Sequence, residues 1–137
     1  VSFSGTQVRA AEPPTVLVVD HEVLVRTVIA AYLRDCGYRV IEATGADEAK
    51  AVVGSDEARV SVVLAGLEAA GPGHGFALAR WIRERRPGVE VILAGTPARA
   101  AEAAGDICER GPLLARPYDP QVVQARIRRL LARRPPS

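Results

Sequence analysis

The first 14 residues mix small and polar side chains without any apolar period and end in Ala11-Glu12-Pro13-Pro14, so they read as an arm or linker. Val16-Leu17-Val18-Val19 then form an unbroken aliphatic run, too short for a helix, as expected of a strand buried on both faces. After Asp20 the period changes. Val25, Val28, Ile29, Tyr32, Leu33 and Cys36 recur at helical spacing, and Gly37 follows as a C-cap. The alternation continues with a strand over 38–42, a helix over 47–53, a strand over 60–65 and a helix over 75–84 striped by Phe76, Ala79 and Ile82. A strand over 89–94, a helix over 98–109, a strand over 112–115 and a helix over 119–133 complete it. The last helix sets its core contacts at Val123, Ile127, Leu130 and Leu131.

Strands alternating with helices predict a parallel sheet covered on both faces. Five such units suit an α/β, flavodoxin-like (βα)5 domain of strand order 2-1-3-4-5 over residues 15–133, with 134–137 as a tail. No G-x-G-x-x-G follows the first strand, which weakens the dinucleotide-binding alternative. In the favoured topology ligands bind beyond the carboxyl ends of the strands, at the switch point between the first and third. The residues there are Asp20, His21 and Glu22, then Gly66, Leu67 and Glu68, then Ala94 and Gly95, and finally Arg116.

Composition changes this picture little. The 137 residues are enough for one domain with its own core, and 18 basic against 16 acidic residues point to no particular partner. Cys36 and Cys108 are far apart in sequence and suggest neither a zinc ribbon nor a disulfide framework, so Cys36 is expected to be a small core hydrophobe in a reducing cytosol. No apolar run reaches the length of a bilayer span and no export signal opens the chain, so a cytoplasmic protein is expected. The absence of methionine implies a processed, trimmed or excised start.

Several segments together resemble the receiver domains of response regulators in bacterial two-component phosphorelay systems. They are Pro14-Thr-Val-Leu-Val-Val-Asp20, the helix through Gly37, Tyr38-Arg-Val-Ile-Glu-Ala43, Gly75-Phe-Ala-Leu-Ala-Arg-Trp-Ile82, Pro87-Gly-Val-Glu-Val-Ile-Leu93 and Gly111-Pro-Leu-Leu-Ala-Arg-Pro-Tyr118. The resemblance implies phosphoryl transfer from a histidine kinase to an aspartate ending the third strand. That chemistry needs a carboxylate nucleophile and a magnesium ion held by an acidic pair after the first strand. A hydroxyl ending the fourth strand and a lysine ending the fifth complete the phosphoryl cradle.

Carried over residue by residue, the acidic pair falls on Asp20 and His21, the acceptor on Gly66, the hydroxyl on Ala94 and the lysine on Arg116, while Leu113 takes the place of the switch aromatic. Only Asp20 keeps the family's residue. Gly66 has no nucleophile, Ala94 no hydroxyl, and His21 is a poor ligand for magnesium, which favours hard oxygen donors. The resemblance therefore implies a degenerate, pseudo-receiver member: no enzyme, no cofactor and no metal, acting through protein contacts independently of phosphorylation. Arg116 is expected to pair with Asp20 across the vacated site. It is also expected to be joined to Pro117 by a cis bond.

The expected partner is a histidine kinase, another signalling protein or a second copy, bound through the face of the fourth helix, fifth strand and fifth helix. Arg126, Arg129 and Arg133 are the candidate contacts, set against the simpler reading of a solvated arginine stripe. No nucleic-acid or membrane partner is expected, since no reader module follows the receiver-like portion. Two weaker readings compete. One is a phosphorelay receiver with an atypical acceptor, with Glu68 or Glu22 as substitutes; the other is a flavodoxin-like pocket that binds a small ligand. His74 could join Asp20 and His21 at a transition metal, though surface histidines are the commoner outcome. The glycine-rich 69–75 loop lacks a P-loop ending and reads as an ordinary loop. Trp81, off the helix stripe, is either a partner anchor or packed on a neighbouring helix.

Overall fold

The computed structural model describes residues 14–67 and 74–110, together with 125, 127–129, 131 and 132. Four parallel strands form one sheet in the order β2-β1-β3-β4: β1 (Thr15–Val19), β2 (Arg39–Ala43), β3 (Val60–Gly66) and β4 (Glu90–Ala94). They alternate with α1 (Val23–Asp35), α2 (Ala46–Gly54), α3 (His74–Arg85) and α4 (Pro97–Glu109). The expected elements appear within one or two residues of their predicted ends. The fifth strand, expected over 112–115, lies outside the described residues, as do Val123 and Leu130. Residues 125, 127–129, 131 and 132 are helical, as predicted for the last element.

Every residue of β1 is buried, because the strand is central and both sheet faces are covered. Its side chains divide by parity. Val16 and Val18 join Val62 and Leu64 under α1, whereas Leu17 and Val19 join Val63 and Ala65 under α2 and α3. Helix α1 ends as its glycine predicts. Gly37 takes φ 98, the Tyr38 N–H donates to the Leu33 carbonyl and the Gly37 N–H to the Arg34 carbonyl, the paired bonds of a Schellman motif.

Two expectations are corrected. Phe76 is 62% exposed; the buried stripe of α3 is Gly75, Leu78, Ala79 and Ile82. The Gly75 N–H donates to the Leu67 carbonyl, which turns residue 75 inward and rotates residue 76 about 100° away. Cys36 and Cys108 are bonded as a disulfide, their Cα atoms 5.6 Å apart across 72 residues of sequence. The α1 terminus and α4 pack side by side, which sequence spacing does not reveal, and disulfides are rare in reducing cytosol. Helix α4 lies on the α1 face, where Ala100, Ala101, Ala104, Ile107 and Cys108 share a core with Ile29, Leu33 and Ile127.

Candidate functional site

Parallel strands deliver their carboxyl ends to one edge, and β1, β3 and β4 end there at Val19, Gly66 and Ala94. Asp20, His21, Gly66 and Ala94 line one cleft of about 290 Å3, with Glu22, Leu67, Thr96 and Leu131 among its other walls. Thus the structure brings together four of the predicted positions. Arg116 and Leu113 lie outside the described residues, as do Arg126, Arg133, Glu68 and the Arg116-Pro117 bond. Arg129 is described and exposed.

Asp20 is held by its neighbours. Its Oδ1 accepts the Glu22 N–H at 2.9 Å, and its backbone carbonyl accepts from Arg26 Nη1 at 2.9 Å. Arg26 in turn donates through Nε to Glu42 on β2 at 3.2 Å, where Arg34 also binds at 3.2 Å. The start of α1 is therefore tied to the adjoining strand by charge-assisted bonds. Burial pushes the Asp20 carboxyl above the ordinary range, against the smaller opposing effects of the Glu22 N–H and nearby His21. His21 Nδ1 stands 3.8 Å from Asp20 Oδ1, and its side chain is 63% exposed, so their attraction is screened and needs a protonated imidazole.

Gly66 faces this carboxylate directly. A Cβ at position 66 would lie 3.3 Å from Asp20 Oδ2. Beside it, the Leu67 N–H donates to the Ala94 carbonyl at 3.1 Å and ties the ends of β3 and β4 together. Ala94 brings no polar side-chain atom to the cleft. Thr96 does, but its hydroxyl oxygen accepts the Arg99 N–H at 3.1 Å as the N-cap of α4. Thr96 and Leu131 join the cleft without a sequence signal that marks them as site residues. Thr before Pro97 is a legible helix-start signal, whereas nothing local to Leu131 announces that the last helix reaches this edge.

The magnesium ion that the resemblance implies would need oxygen donors around the acceptor position. Here the part-buried Asp20 carboxylate, already accepting a backbone N–H, faces a glycine, and the adjoining residue is an imidazole, so the oxygens of the acceptor and of the second acid are both missing although Glu22 also lines the cleft; this donor set does not fit that ion. Among the described residues, no three His, Cys, Asp or Glu side chains cluster as metal ligands. None of the described helices is long and apolar enough to cross a membrane.

No protein-family model matches the chain. It is 29% identical over 118 residues to the transcriptional regulatory protein ResD of Bacillus subtilis strain 168, covering 86% of this chain and 48% of that protein. The chain thus spans about half the length of the curated relative it matches. Among solved structures it is similar to the receiver domain of NtrX from Brucella abortus, with 27% identity, a TM-score of 0.54, and 87% and 99% of the two chains covered. It is also similar to the signal receiver domain of an HD domain-containing protein from Pseudomonas fluorescens Pf-5, with 21% identity, a TM-score of 0.58, and 91% of each chain covered. The fold is that of response regulator receiver domains, and the sequence similarity supports the same relationship.

Proposed function

We propose that this response regulator receiver domain works in signal transduction as a degenerate, phosphorylation-independent module that binds a protein partner. The observation that carries the reading is Gly66. The position facing the Asp20 carboxylate has no side chain, and no amount of rearrangement gives glycine a nucleophile. Ala94 and His21 remove a hydroxyl donor and an oxygen ligand from the same reaction, whose parts act only together.

Intact-mass measurement after incubation with acetyl phosphate and magnesium tests the reading. The mass should not change, and a stoichiometric phosphoryl adduct overturns it. Gly66→Asp alone should not restore robust labelling: the new side chain crowds Asp20 Oδ2, while the hydroxyl and the second oxygen ligand remain missing. A partner signalling protein or second copy is assigned to the outward side of α4 and the last helix, with Arg126, Arg129 and Arg133 as contacts. A cytoplasmic location belongs to this reading as well, though the cysteines no longer argue for it.

A further inference from the structure

A second surface lies on the other side of the sheet, away from the vacated cleft. Trp81 of α3 is half-buried, its inner edge packed on the α2–α3 core. Two cations sit over its ring: Lys50 Nζ at 5.6 Å from the centroid and the Arg85 guanidinium carbon at 5.1 Å. With Ala51, Gly54 and Arg86 these residues line a cleft of about 400 Å3 between α2 and α3. Arg86 is occupied structurally, donating to the Gly54 carbonyl at 3.1 Å and to Asp56 at 3.0 Å. Lys50 and Arg85 are different: their contacts are with the indole, and no carboxylate of the described residues neutralises either one.

We propose that the Lys50–Trp81–Arg85 cleft docks an acidic segment of a partner protein. The indole supplies a rigid apolar anchor and the two cations supply charge complementarity at its edges. A polyphosphate backbone fits less well, because the cleft offers two cations about one indole, with Arg86 already engaged, and not the run of basic side chains that regularly spaced phosphates need. The docking does not depend on the state of Gly66 or on the α4 face, so it can fail while the phosphorylation-independent reading stands.

Trp81 is the single tryptophan, which makes its emission a direct reporter of the cleft. The full chain would be titrated with a peptide of about eight glutamates around a central leucine. A saturable emission change is expected, weakened at least about tenfold in Lys50→Glu/Arg85→Glu and in about 0.5 M salt. Lys50→Gln/Arg85→Gln, with its far-UV spectrum checked, covers the case in which charge reversal unfolds the protein and should weaken binding in the same direction. Arg128→Glu, on the opposite face, should bind like the parent. No saturable change, or equal binding by the folded double variants, overturns the proposal. Tighter binding of oligothymidylate or anionic vesicles than of the peptide overturns the choice of a protein partner.

Discussion

A Cβ at Gly75 would lie 2.7 Å from the Leu67 carbonyl oxygen and 2.8 Å from its Cα, both backbone atoms that cannot swing aside. An alanine in a helix ordinarily gains up to about 1 kcal/mol over glycine; here the backbone must shift, and overpacking costs about 1–3 kcal/mol. Urea melts should therefore show Gly75→Ala destabilised. Gly54→Ala, with open space around it, should be neutral or slightly stabilised. Asp20 gives a pH-dependent prediction. Its carboxyl is raised by burial, so the folded state holds the proton more tightly than the unfolded chain does. The stability this provides is present below the unfolded value, about pH 4, and is lost as pH rises through the folded one. Asp20→Asn can keep the bond from the Glu22 N–H and carries no charge to bury. It should be more stable than the parent at neutral pH, and that advantage should shrink as urea melts are repeated toward pH 4.

Helix α1 was legible because large apolar residues repeat at helical spacing and a glycine ends them. The buried face of α4 is written in single methyl groups instead, Ala100, Ala101 and Ala104, with Ile107 as its one large aliphatic. A buried methyl group is worth about 0.8 kcal/mol against about 1.5–3 for a full aliphatic side chain, so apolar burial alone holds α4 weakly. The Cys36–Cys108 bond and the 2.6 Å hydrogen bond from the Tyr38 hydroxyl to the Ile107 carbonyl supply the rest. Neither could be read from sequence, because each joins residues about 70 positions apart. Reduction, or Cys108→Ser, should lower stability by about 2–5 kcal/mol. Urea melts with and without reductant would measure this, and faster amide exchange over 97–109 should accompany it; unchanged melts would show that packing alone suffices.

At the scale of the whole molecule, apolar periodicity identified each described strand and helix but not which face of the sheet a helix covers. The α4 stripe satisfies either face equally; only its contacts with α1 settle the matter. The four cleft residues were legible because strand ends in a parallel sheet must converge on one edge. The assigned partner face follows from α4 and the exposed Arg129, and Arg126→Glu/Arg129→Glu should weaken self-association or partner capture in sedimentation and crosslinking. Contacts mapped to α1 and α2 instead would refute that face. The parity of β1 has one more outcome. By dividing the core into two layers it also divides the chromophores among the described residues: Trp81 lies in the α2–α3 layer, while Tyr32 and Tyr38 are buried in the α1–α4 layer. In a Tyr118→Phe background, indole fluorescence and tyrosine near-ultraviolet dichroism thus watch opposite sides of one sheet. Whether the two signals melt together or in sequence measures how firmly four strands transmit cooperativity from one side of the domain to the other.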